Sequence, residues 1–231
     1  MKLSIIIPVY NEQDTLKELL AKIQRVQLNG VLKEIIIVDD SSNDRSKSIF
    51  DNLKSSDIIK LYHKHNQGKA AAIKTGLVRA SGDLILIQDG DLEYDPSDYP
   101  ALLEPILSNQ ADVVYGSRFL TGKNKAYFPY LVANKFLVWL TNILYGSCLT
   151  DMETCYKLFR KEILVNLKIK AKGFEFEPEV TAKLLLRKVQ IMEVPISYVP
   201  RSKKMGKKIG FFDGLMSIYI LIKYKLAREA K

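Results

Sequence analysis

The chain has 231 residues, 47% of them hydrophobic and 26% charged, which is enough for one α/β domain with a sizeable core and short of two complete ones. Its 35 Lys and Arg against 26 Asp and Glu leave a formal charge of +9, so an anionic partner is favoured: nucleic acid, a membrane surface or a phosphorylated small molecule. Two cysteines, Cys148 and Cys155, exclude a disulfide framework. With no signal-like N-terminus and no apolar run of transmembrane length, the expectation is a cytoplasmic protein with reduced thiols.

Short β-branched runs alternate with amphipathic patterns through the first half. LSIIIPV (3–9) predicts a strand and DTLKELLAKIQRV (14–26) a helix with its leucines on one face. EIIIVDD (34–40) and IIKLYHK (58–64) predict further strands, and GKAAAIKTGLVRA (68–80) a helix. DLILIQD (83–89) is a fourth strand, a helix follows near 97–108, and ADVVYGS (111–117) is a fifth strand. Continuous apolar strands separated by helices imply a Rossmann-like, mostly parallel sheet with right-handed crossovers. The second half differs. An apolar, aromatic stretch occupies 128–146, VQIMEVPISYVP (189–200) predicts one or two strands broken at Pro195, and the chain closes on a helix from about Gly210.

Four motifs fall where these strands end, and in such sheets ligands bind beyond the carboxyl ends of the strands. PVYNE (8–12) follows the first. VDDSSND (38–44) follows the second, with Asp39 and Asp40 at the strand end and Asp44 placed as a helix cap. In HNQGKAAAIKTG (65–76), Gly68 precedes a helix whose open N–H groups, with Lys69, suit an anion. The fourth, QDGDLEYDP (88–96), crowds Asp89, Asp91, Glu93 and Asp95 into seven residues. Carboxylates that close repel each other, and a divalent cation between Asp89 and Asp91, with Gly90 letting a ligand approach, removes the repulsion. A calcium loop is excluded because Tyr94 stands where glycine is required. Asp95, before Pro96, reads as a turn and helix-entry residue.

PVYNE, VDDSSND, NQGKAAAIKTG and DGDLEYDP together resemble the family 2 glycosyltransferases, closest to the dolichol-phosphate mannosyltransferase and polyprenyl-phosphate glycosyltransferase branch. The resemblance continues through YGSRF (115–119), TDMETCYKLFR (150–160), FEFEPE (174–179) and VPRSKKMGKKI (199–209), so it spans nearly the whole chain in order. It implies an α/β GT-A fold with a helical C-terminal extension. Residues 1–120 would form the nucleotide-sugar half of a single domain, and 121–231 the acceptor half. It further implies that Pro8, Tyr10 and Glu12 line a nucleoside pocket, that Asp39 reads the base beside Asp40, and that Asp89 and Asp91 hold Mg²⁺ or Mn²⁺ on a diphosphate. Close relatives commonly carry Gln where this chain has Glu93, a third metal-facing position.

The implied reaction is inverting transfer of a sugar from a nucleotide diphosphate, with GDP-mannose, UDP-glucose and UDP-N-acetylglucosamine all open as donors. Negative charge builds on the leaving diphosphate, and Arg118, Arg201, Lys207 and Lys208 are candidates to stabilise it beside the metal. A lipid-phosphate acceptor is already ionised and needs no base. A sugar hydroxyl of a growing glycan needs one, and that role falls to Asp151, with Glu177 also facing the site. An inactive nucleotide-sugar binder need not keep both carboxylates, and a sugar nucleotidyltransferase lacks its Gly-rich loop here. The basic run RSKKMGKK (201–208) lacks the interleaved aromatics of a nucleic-acid site. Residues 128–146 and the terminal helix, with Trp139, Tyr145, Tyr219 and Tyr224, suit peripheral contact with the inner membrane face.

Overall fold

The computed structural model describes residues 1–53, 57–120, 127–201, 206, 208 and 210–229. The β-branched runs form β1 (Lys2–Val9), β2 (Leu32–Asp39), β3 (Ile58–Tyr62) and β4 (Leu84–Ile87). They pair in parallel, β1 between β2 and β4, and β3 outside β2. Consecutive residues Ile5, Ile6 and Ile7 are all wholly buried, as are Leu84 and Ile85, which requires cover on both faces of the sheet. On the flanks, α1 (Leu16–Arg25) buries Leu16, Leu19, Leu20 and Ile23, the 3–4 spacing of one helix face. α2 (Ser46–Asp51) is a single short turn of helix, α3 (Lys69–Arg79) packs on β1 and β2, and α4 (Tyr99–Leu107) packs on β5 (Val113–Ser117).

The second half of the chain contributes α5 (Phe128–Tyr145), β6 (Lys157–Arg160), α6 (Lys161–Asn166), α7 (Phe176–Leu186), β7 (Ile191–Pro195) and α8 (Phe211–Glu229). The complete sheet order is β3-β2-β1-β4-β6-β5-β7. β6 runs antiparallel to both β4 and β5, so the sheet is mostly parallel with one reversed strand near its middle. That strand, α2, α6 and the full extent of α7 are additions to the sequence reading. β7 ends at Pro195 as predicted, and beyond it an isolated bridge joins Tyr94 to Tyr198. α8 packs on α7 and α5 around a small separate core of Leu149, Met152, Ala182 and Leu221.

Candidate active site

The motifs that follow β1, β2 and β4 and precede α3 meet around a cavity of about 300 Å³. Pro8, Tyr10 and Glu12 line one wall, Asp40, Gly68 and Lys69 another, and Asp89, Gly90, Asp91 and Glu93 the floor. Arg201 and Lys208 close it from the C-terminal side. Lys207 lies outside the described residues. Gly68 has φ +93°, and a Cβ there would stand 2.5 Å from the Lys172 carbonyl oxygen, so only glycine lets α3 begin this close to the 172–174 segment. Gly90 is tight as well: a Cβ would meet the Glu12 side chain and the Pro8 carbonyl at 3.3 Å.

Asp39 does not line this cavity. It is 2% exposed at the end of β2 and accepts the Ser42 N–H at 3.3 Å, within the turn that follows the strand. The wall position belongs to Asp40, whose oxygens accept the Gln67 and Gly68 N–H groups at 2.9 and 2.7 Å. His63 locks that carboxylate from behind, with Nδ1 2.6 Å from Asp40 and Nε2 2.9 Å from the Thr75 hydroxyl. Asp44 bonds the Ser46 N–H, capping the turn into α2, and also reaches the Gln13 N–H. Asp95 accepts the Ser97 N–H and starts the short 3₁₀ turn at Pro96–Asp98.

Two cations face the central carboxylates. Lys69 Nζ lies 2.7 Å from Asp89 and 2.8 Å from Glu177. Burial alone would raise the Asp89 carboxyl, but the Lys69 ammonium outweighs it and holds the group below its ordinary range. Asp91 goes the other way: burial, then the charge of Asp89, push it up to about 7 despite Arg201 Nη2 at 2.8 Å. The same guanidinium forks onto Glu12 at 2.9 and 3.2 Å, and Lys208 Nζ adds a contact to Glu12 at 2.6 Å.

Asp91, buried, and Asp89, half-buried beside it, repel each other and are a donor set suited to a hard divalent cation, which takes one or two protein carboxylates and fills its shell with phosphate oxygens and water. The three-carboxylate set is not assembled. Among the described residues no group of three or more His, Cys, Asp or Glu side chains converges to hold an ion. Glu93 is engaged elsewhere: its oxygens accept the Arg201 N–H at 2.8 Å and the Tyr198 hydroxyl at 3.0 Å, tying the segment after β7 to the floor of the cavity.

Asp151 is also corrected. It is fully buried and paired bidentately with Arg118, at 2.7 and 2.8 Å, while accepting the Arg118 N–H at 3.0 Å. Three of the carboxylate's bonds go to Arg118, which holds it as an ion-pair partner, and Asp151 lines none of the cavities described here. Arg118 stacks its guanidinium over Tyr198 at 5.1 Å and lines a second cavity that shares Lys69, Asp89, Glu93 and Phe174 with the first. Glu177 and two residues that sequence reasoning did not single out, Glu153 and Cys155, line that second cavity. Both lay within TDMETCYKLFR, but nothing local distinguished them from their neighbours. Burial raises the Cys155 thiol far above its usual value, so it is inert.

The second cavity opens in turn onto an apolar groove of about 480 Å³ between α5 and α8, sharing Tyr130, Ala133, Leu137, Gly210 and Gly214 with it. Beside the groove, Phe128, Trp139, Phe211 and Phe212 are 73, 55, 77 and 82% exposed. Among the described residues no helix is long and apolar enough to cross a membrane.

The sheet order, the carboxylate pair beyond β4 and the mixed central strands define a GT-A-type fold. The model of glycosyl transferase family 2 matches residues 4–167, and the chain belongs to that family of glycosyltransferases. It is 32% identical to a dolichol-phosphate mannosyltransferase of Pyrococcus furiosus over 97% of this chain and 65% of that protein, so it spans about two-thirds of that relative's length. It is 28% identical to a UDP-N-acetylglucosamine–dolichyl-phosphate N-acetylglucosaminyltransferase of Methanococcus voltae, over 97% and 96% of the two chains. Among solved structures, glucosyl-3-phosphoglycerate synthase from Mycobacterium tuberculosis with UDP superimposes with a TM-score of 0.74 at 21% identity, over 98% of this chain and 79% of that one. The likeness at that identity is one of fold.

Proposed function

We propose that the chain transfers a hexose, with inversion, from a nucleoside diphosphate sugar to a polyprenyl phosphate at a membrane surface. The observation that carries this reading is the order of three continuous cavities: a charged one, a mixed one, and an apolar groove between α5 and α8. A nucleotide and diphosphate suit the first, the reacting sugar and acceptor phosphate the second, and an isoprenoid chain the third. The curated names of the Pyrococcus and Methanococcus relatives, both acting on dolichyl phosphate, support the same acceptor class.

In this reading Asp89 and Asp91 hold Mg²⁺ or Mn²⁺ on the diphosphate, and the bound ion supplies electrostatic stabilisation of the leaving group. Arg201 and Lys208, which meet the acids of the first cavity, turn onto the diphosphate and neutralise the same charge. Lys69 holds Asp89 and Glu177 in register across the join of the two cavities. Arg118 presents a permanently charged guanidinium to the second cavity, where an acceptor phosphate would lie. The phosphate acceptor needs no general base, in keeping with the sequestration of Asp151. Transfer to a glycan hydroxyl loses support for the same reason.

The test is a thermal-shift panel of GDP-mannose, UDP-glucose and UDP-N-acetylglucosamine with and without Mn²⁺, followed by product assay on a short-chain polyprenyl phosphate. A Mn²⁺-dependent rise in melting temperature for one donor, and radiolabelled sugar appearing in the lipid, are expected. No shift with any donor would sink the donor site, and transfer to a free glycan but not to the lipid would sink the acceptor.

A further inference from the structure

Glu153 lines the second cavity from the segment that leads into β6, and its surroundings are unusual for a carboxyl group. Its Oε1 is shut off from solvent, and among the described residues no donor reaches it. The nearby cations are committed elsewhere. Lys157 Nζ bonds the Met152 carbonyl at 2.9 Å and the Thr154 carbonyl, and Arg118 is forked onto Asp151. A buried acceptor left without a donor costs free energy, and native sites that keep one do so for a ligand or a water. Burial, then the charge of Glu177, raise its carboxyl to about 7, so close to neutrality a large fraction carries a proton and the group both donates and accepts.

We infer that Glu153 is a specificity residue that hydrogen-bonds a hydroxyl of the transferred sugar. The placement follows from the cavities: a diphosphate on Asp89 and Asp91 directs its sugar past Asp89 and Lys69 into the cavity that Glu153 lines. The inference rests on the donor-site reading above. A site that pairs a buried polar group with a sugar hydroxyl rejects ligands lacking that hydroxyl strongly, because the protein group is otherwise stranded.

Two variants test it. Glu153→Leu keeps the volume and removes the unpartnered carboxyl, and Glu153→Gln keeps both hydrogen-bonding capacities. The probes, all with Mn²⁺, are GDP, UDP and the three nucleotide sugars of the panel, their affinities measured by calorimetry. In Glu153→Leu the donor that the wild type binds should weaken tenfold or more. Its sugar-free diphosphate should stay within twofold, and the ligand-free melting temperature should hold or rise. Glu153→Gln should stay within threefold of wild type on both. Equal losses on donor and diphosphate, or no loss on either, overturn the inference, as does a Glu153→Leu chain that melts lower or fails to fold, since the carboxyl is then a structural group. If the wild type binds the diphosphates but none of the sugars more tightly, the sugar contact is refuted while the nucleotide site survives. If it binds none of the five, the donor-site reading fails first and takes this inference with it.

Discussion

Glu34 and Asp91 are both buried carboxylates on the same sheet, at its opposite ends, and their protonation is pushed in opposite directions. Glu34, near the start of β2, is met by Lys2 Nζ at 2.6 Å, the Ser4 hydroxyl at 2.6 Å, and the Ser81 N–H and hydroxyl at 2.9 and 2.6 Å. Burial works against its ionisation, but those donors overcome it and hold the carboxyl down at about 2. Asp91, beyond β4, and Glu153 are raised to about 7, because burial is joined by the charge of a neighbouring carboxylate, Asp89 in one case and Glu177 in the other. One acid is fully satisfied at the end of the sheet away from the cavities, and others are left wanting beside them. The completeness of its partners is what would separate a structural carboxylate from one kept for a ligand.

The sharpest way to break that comparison is Asp91→Asn. If Asp91 is kept for a ligand, transfer to lipid should fall about a thousandfold, roughly 4 kcal/mol of transition-state stabilisation. The metal-dependent thermal shift should vanish, while the ligand-free melting temperature stays within about 3 °C. A large loss of ligand-free stability would instead put Asp91 in the same class as Glu34.

Arg118→Met probes a fourth carboxylate, Asp151, which sits beside the second cavity yet is satisfied like Glu34. Removing its partner strands a fully buried charge, so unfolding free energy measured in urea should drop by about 3 kcal/mol. Replacing both members, Arg118→Met with Asp151→Leu, should recover most of that stability and none of the activity if the guanidinium also serves the acceptor phosphate. Recovery of both would remove Arg118 from the site.

How much of this was legible beforehand follows the same division. The β1–β5 run was readable because buried parallel strands write themselves as unbroken Ile, Val and Leu. β6 was not, since KLFR is four residues long with a cation at each end, and Lys157 is buried only by folding back onto carbonyls within its own loop. α7 was obscured by the acids of FEFEPE, of which Glu179 proves structural, accepting the Lys170 and Ala171 N–H groups and the Tyr224 hydroxyl. At the site, the position of Asp89 and Asp91 could be read from acidic loops at strand ends. The pairing of Arg118 with Asp151 could not, because 33 residues separate them and no periodicity links a strand end to a loop that distant. Asp39 and Asp40 are adjacent at a strand end, and composition alone could not say that it is Asp40 that lines the cavity.

Glu34→Gln tests the satisfied end directly, with the sign fixed by its lowered carboxyl. A group ionised more readily in the folded chain stabilises it fully above about pH 4.5, and that contribution is lost as pH falls toward 2. The wild type should therefore exceed the variant by about 2 kcal/mol at pH 7. The gap should close between pH 4.5 and 2, and transfer at pH 7 should be unchanged. A gap that persisted at pH 2 would mean that packing, not charge, is what Glu34 provides.

The smallest effect expected comes from carrying the comparison over to apolar groups. A buried Ile5 is satisfied by the core in the way Glu34 is satisfied by donors, whereas Phe212 at 82% and Trp139 at 55% exposure are left wanting, as Glu153 is. If that surface is kept for lipid, Phe212→Glu should weaken binding to anionic vesicles about tenfold, by losing apolar insertion and adding a like charge. Because the side chain is in water already, melting temperature and donor affinity should not move. Unchanged vesicle binding would show that α8 does not reach the bilayer, and the membrane contact would then rest on Trp139 and α5, where Trp139→Glu provides the matching measurement. A fall in melting temperature for either variant would mean that these aromatics are packed in solution, and that the exposed face is no counterpart of the unsatisfied acids at all.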